Sequence, residues 1–95
     1  MIYFKVRSLS SIKSPSGAVT VWEKDFDDPE SAIRAAMSYD HEREILMCDS
    51  QDPTNNHVLF AYIWLNKIHI DSIASSEFIK AAKSVCRDWP YRIAA

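Results

Sequence analysis

Apolar positions along the chain fall into short alternating runs interrupted by two stretches of helical spacing. Ile2 to Arg7 alternates, with Ile2, Phe4 and Val6 on one face and Tyr3, Lys5 and Arg7 on the other, which predicts a strand. Ser14-Pro15-Ser16-Gly17 places proline second and glycine fourth, as a type I turn prefers. Ala18 to Lys24 alternates again, Val19 and Val21 opposite Thr20 and Trp22. The two runs predict a β-hairpin, with Ser8 to Lys13 either prolonging its first arm or looping out. Asp27-Asp28-Pro29-Glu30 predicts a helix start: aspartate caps, proline suits the first turn, and acids favour the positive end of the helix dipole. Ile33, Ala36, Met37 and Asp40 share one face with Ala32 beside them, so the helix is expected to end near Asp40. Glu44 to Cys48 reads as a short strand and Asp52-Pro53-Thr54-Asn55-Asn56 as a turn.

The stretch His57 to Ile70 is apolar on both alternating faces. Val58, Phe60, Tyr62 and Trp64 would project one way from an extended strand, and Leu59, Ala61, Ile63 and Leu65 the other. A turn at Asn66-Lys67 lets the chain fold back into a further strand, Ile68 to Ser72, although the usual hairpin glycine is missing. Ser75 or Ser76 then caps a last helix, with Phe78, Ala82, Val85 and Trp89 along one side, Ile79 and Cys86 adjacent, and Pro90 ending it. The order β-β-α-β-β-(β)-α predicts one α+β domain over residues 1–95. It is an antiparallel four- to five-stranded sheet with two helices packed on one face.

This layout decides which residues are candidates for a site. With Ile2, Phe4, Val6, Val19 and Val21 beneath the helices alongside Leu59, Ala61, Ile63 and Leu65, the uncovered face carries Tyr3, Lys5, Arg7, Trp22, Lys24, Phe60, Tyr62 and Trp64. Two helices do not hide that much apolar sheet, so a protein partner or a second copy of the chain, as a homodimer, is expected to cover it. Trp22, Phe60, Tyr62 and Trp64 are the expected anchors, and Asp25, Asp27, Asp28 and Glu30 a charged rim. The alternative ligand is single-stranded nucleic acid, whose bases stack on rings while Lys5, Arg7 and Lys24, beside Tyr3, hold phosphates. The plainer reading is that some of these aromatics are core, tucked under Ser8–Ser14 or the tail Tyr91–Ala95.

Composition narrows the function classes. Among 95 residues, 47% are apolar and 25% charged, as in an ordinary folded globule. No run approaches the roughly 18 apolar residues of a membrane helix, so no membrane partner is expected. The start MIYFKVRS has neither a positive lead-in nor a small-residue cleavage site. Cys48 and Cys86 sit within apolar patterns, which suits buried reduced thiols and a cytoplasmic setting. Glu23 to Asp52 carries ten acids against three bases, and the remainder eight bases against three acids, a polarity that can orient a partner or simply mark two solvated faces.

Candidate chemistry is sparse. A single glycine, Gly17, excludes a Walker loop or dinucleotide-binding turn, and no cofactor is expected. His69 and Asp71 fall on one side of a strand and Asp40-His41-Glu42 ends a helix, but neither supplies the three or four ligands a metal needs. His57 simply starts a strand. Apolar surroundings raise thiol pKa values and blunt Cys48 and Cys86, and the acids of residues 23–30 already have capping roles. No nucleophile, base and oxyanion donor occur together, so no enzyme is expected. Lys80, Lys83 and Arg87 form a cationic ridge opposite the apolar stripe of the last helix, the usual wet side of an amphipathic helix. The passage Phe26 to Met37 resembles the strand, acidic turn and helix in the antitoxin half of bacterial HicA–HicB pairs. The likeness covers a dozen residues and implies no site residue here. The expected function is a non-catalytic binding or inhibitor protein acting by protein–protein interaction, of the phage or bacterial anti-defence, immunity or antitoxin kind. A single-stranded nucleic-acid binder is the alternative.

Overall fold

The computed structural model describes residues 1–14, 17–39, 42–54, 56–64, 66–88 and 92–94, and for residues 10–14, 17–19, 21, 88 and 94 the backbone alone. The alternation that opens the chain continues as one long strand, β1 (Ile2–Ser14), so residues 8–13 prolong the hairpin arm. It pairs antiparallel with β2 (Gly17–Phe26) on one side and with β3 (Glu42–Asp49) on the other. Next come β4 (Val58–Trp64) and β5 (Lys67–Ile70), again antiparallel, with Trp64 opposite Lys67, so the reversal comes one residue before Asn66-Lys67. A sixth strand, β6 (Arg92–Ala94), lies parallel to β5. The sheet order is β2-β1-β3-β4-β5-β6, giving an α+β fold with a mixed six-stranded sheet and two helices. The purely antiparallel sheet of four to five strands is thus corrected. A three-residue strand shows too little alternation to be read, and its parallel pairing depends on the intervening helix carrying the chain back across the sheet.

Helix α1 (Pro29–Met37) begins where the capping chemistry places it: Asp28 is extended and its carboxylate accepts from Ser31 N at 2.9 Å. It stops at Met37, short of Asp40, where the Ser38 N–H donates to the Ala35 carbonyl at 3.2 Å and the Tyr39 N–H to the Ala36 carbonyl at 3.4 Å, tightening the last turn. The buried Arg43 guanidinium, reaching up from β3, donates to the carbonyls of Ala36, at 3.0 Å, and Tyr39. Cationic donors on the last carbonyls of a helix satisfy orphan acceptors and suit its negative end. Helix α2 (Ser76–Asp88) is capped by Ser75, whose hydroxyl accepts from Phe78 N at 3.2 Å. The expected turn at Pro15-Ser16, the Asp40-His41 corner, Leu65 and the Trp89-Pro90 stop lie outside the described residues.

Both helices bury their apolar sides, Ala32, Ile33, Ala36 and Met37 from α1 and Phe78, Ala82 and Val85 from α2, on one face of the sheet. Strand register sets the rows beneath them: Phe26–Phe4–Met47–Val58, Lys24–Val6–Ile45–Ala61–Ile70 and Trp22–Ser8–Arg43–Ile63–Ile68–Ile93. Phe4, Phe60 and Phe78 meet at centroid separations of 5.4 to 6.2 Å.

Two register shifts move side chains off their expected faces. In β4, Ile45 faces Ala61 while Leu46 faces Leu59, so Phe60 is the extra residue of a β-bulge. Phe60 and Ala61, adjacent in sequence, are therefore both buried under the helices, and Leu59 is turned to the other face. Phe60, expected on the uncovered face, is a core residue only 5% exposed. In β2, Ser8 faces Trp22 while Leu9 faces Thr20, leaving Val21 as the inserted residue. The register Phe4↔Phe26 and Val6↔Lys24 then brings Trp22 and Lys24 to the helix side, opposite to the expected phase.

The bulge makes a stability forecast that a straight strand would reverse. Phe60→Ala is expected to cost about 3–5 kcal/mol of unfolding free energy, and Leu59→Ala about 1 kcal/mol or less, measured by urea denaturation. Equal or inverted costs would mean that β4 runs without the bulge.

Candidate functional site

Among the described residues no helix lies on the sheet face away from α1 and α2, and strand register composes that face in two halves. Across β2, β1 and β3 run the rows Asp25–Lys5–Leu46 and Glu23–Arg7–Glu44. Opposite charges thus stand on neighbouring strands and pair: Lys5 Nζ lies 3.0 Å from Glu23 and 3.4 Å from Asp25, and Arg7 lies 2.9 Å from Glu23 and 3.7 Å from Glu44. The hydrogen bonds from Lys5 and Arg7 outweigh burial and hold the Glu23 carboxyl below the usual range. For Lys5, burial opposes the charge, but Glu23 and Asp25 override it and raise its pKa. Arg7 Nη2 also lies 3.4 Å from His57 Nδ1. Beneath this lattice Leu46 and Cys48 are buried, Tyr3 standing opposite Cys48 in the register, and burial pushes the Cys48 thiol up.

The second half is apolar along β4 and polar along β5 and β6, where Trp64, Lys67 and Arg92 form one row and Tyr62, His69 and Ala94 the next. Leu59, Tyr62 and Trp64 follow one another along β4. Leu59 and Trp64 are 37% and 39% exposed. Tyr62 is half-buried beside His69, ring centroids 6.3 Å apart. Burial first, then the carboxylates of Glu42 and Glu44, raise the Tyr62 pKa and keep the phenol protonated.

The expected site residues are therefore divided. Tyr62, Trp64, Tyr3, Lys5, Arg7 and Asp25 share the uncovered face. Trp22 lies on the helix side, stacked on Tyr39 at 4.4 Å, and Lys24 lies above the Phe26 ring at 5.6 Å. Phe60 is in the core. Asp27, Asp28 and Glu30 cluster at the start of α1, where Asp28 is the cap and Glu30 bonds Arg34.

That cluster borders a cleft of about 390 Å³ where α1 and α2 both begin. Its floor is the exposed end of the core face, Ile2, Phe4, Met47 and Phe60, and Asp27, Asp28 and Pro29 face Ser75 and Glu77 across it. Ile2, Met47 and Glu77 carry no sequence signal as site residues. The usable hint is that two capping residues, Asp28 and Ser75, each stand just before an amphipathic helix covering the same sheet.

The Asp71 carboxylate accepts from Ile73 N at 3.1 Å and so shapes a turn, while His69 is paired in register with Tyr62. No cluster of three metal-ligating side chains occurs among the described residues. Among them, no helix is long and apolar enough to cross a membrane.

The ion-pair lattice has a pH signature. A carboxyl whose folded pKa is depressed contributes stability above its unfolded pKa, and that contribution is lost as pH falls through the folded value. Glu23→Gln is therefore expected to flatten the acid limb of unfolding free energy against pH by up to about one proton, measured from urea transitions. An unchanged slope would show that the lattice does not form in solution. No family model, curated protein or solved structure matches the chain.

Proposed function

We propose that this chain is a non-catalytic binding protein that works by covering a protein surface with the helix-free face of its sheet, and that a second copy of the chain is the first such partner. The observation that carries this reading is Trp64, 39% exposed on a face that has no helix, in line with Tyr62 and Leu59. Large aromatics half out of water are where binding energy concentrates in interfaces. On the neighbouring strands Lys5 and Arg7 pair with Glu23, Asp25 and Glu44, a polar rim that stays in water beside the aromatics. An inhibitor of phage or bacterial origin working in the cytoplasm, of the anti-defence, immunity or antitoxin type, fits this reading.

Single-stranded nucleic acid is the weaker alternative. Lys5 and Arg7 are engaged by Glu23, Asp25 and Glu44, and Lys24 lies on the other side of the sheet. Phosphates at Lys5 and Arg7 would have to displace three carboxylates, which leaves Lys67 and Arg92, in the row of Trp64, as the cations such a strand would meet. Unchanged anisotropy of labelled single-stranded oligonucleotides at low salt would remove it.

Sedimentation velocity tests the main reading. The purified chain is expected to dimerise, and Trp64→Ala to weaken the dimer about tenfold or more, some 1.4 kcal/mol, with circular dichroism unchanged. A chain that is monomeric at every concentration excludes the second copy. A Trp64→Ala variant that unfolds makes Trp64 a structural residue and ends the reading.

A further inference from the structure

We infer that the cleft at the N-terminal ends of the two helices is a separate docking site, for a segment of another protein that carries one bulky apolar side chain flanked by lysine or arginine. The inference rests on reading the chain as a binding protein, but it uses the opposite side of the sheet from Trp64.

The cleft exists because the helix layer is shorter than the sheet. Helix α1 is nine residues long and starts at Pro29, and α2 starts at Ser76, so both begin short of the row that holds Ile2. Ile2 is left 47% exposed and Met47 half-buried, with the rings of Phe4 and Phe60 behind them. Its volume of about 390 Å³ lies in the range of formed ligand sites, roughly 300–1,000 Å³.

The rim states the charge of the occupant. Asp27 and Glu77 are exposed on opposite walls, and among the described residues neither forms an ion pair. The other acids along the cleft are engaged: Asp28 with Ser31 N and Glu30 with Arg34. The cleft continues between the helices past Asp28 and Glu30, where Lys80 is the one cation along the described lining. The helix ends favour an anion less than bare ones would, because Asp28 takes Ser31 N, Ser75 takes Phe78 N, and Glu30 and Glu77 already place acids in the two first turns. An apolar floor between two unpaired carboxylates matches an apolar side chain between two cations.

The probe is a fluorescein-labelled peptide with a central leucine between two pairs of lysines. Two controls accompany it: glutamates in place of the lysines, and glycine in place of the leucine. Only the first is expected to bind, less tightly as salt is added, with amide shifts at Ile2, Asp27, Met47 and Glu77. The double variant Asp27→Lys, Glu77→Lys is expected to lower its affinity about tenfold or more, with circular dichroism and sedimentation unchanged. Absence of binding, equal binding of either control, or shifts centred on Tyr62 and Trp64 would overturn the assignment. Trp64→Ala is expected to leave the peptide titration alone, so failure of the sheet-face reading and failure of this one are distinguishable.

Discussion

Phe60 and Ala61 are neighbours on β4, yet both are buried under the helices, and the rest of the structure depends on that one departure from strand geometry. A regular strand alternates its side chains, so only one of the two could reach the core. The bulge admits both. Phe60 closes a cluster of three aromatic rings with Phe4 and Phe78 that ties β1, β4 and α2 together. The same extra residue turns Leu59 outward, in line with Tyr62 and Trp64. One local distortion therefore completes the core and also lengthens the apolar stripe on the uncovered face.

Arg43 plays a complementary part at the other end of α1. It sits on the helix side of β3 between Ser8 and Ile63, where an apolar residue would be the default. Its guanidinium takes the last carbonyls of α1, so burying the charge is offset by hydrogen bonds that the helix end needs. The short α1 that results, fixed by Asp28 at one end and by Ser38 and Arg43 at the other, does not reach the edge of the sheet beside Ile2. The cleft follows from the length of the helix rather than from any special residue in its floor.

Most of the elements could be read from local chemistry. Alternation marked the first half of β1, Asp27-Asp28-Pro29-Glu30 marked the start of α1, and Ser75 or Ser76 that of α2. The fold-back after Trp64 needed no glycine. What local reading missed are properties of pairing. Nothing in the string VLFAYIW tells that Phe60 is inserted, because a bulge is decided by the partner strand, here Ile45 and Leu46. Likewise Val19 and Val21 argue for one phase of β2 and Trp22 and Phe26 for the other. The shift at Val21 settles it for the aromatics, which scatters the expected anchors over two sides of the sheet. Tyr62 and Trp64 kept their places because they follow the bulge. The bases Lys5 and Arg7 were correctly placed, but their engagement by Glu23 and Glu44 rests on cross-strand neighbours far apart in sequence.

Cys48 has a practical consequence. It is shut beneath the charge lattice with its thiol held protonated by burial, whereas Cys86 on α2 is partly accessible. An alkylating reagent should therefore meet Cys86 directly and Cys48 only during excursions that lift β1 away from β3. The native molecule thus contains its own clock for the opening of its β1–β3 pair, read through a cysteine it already carries.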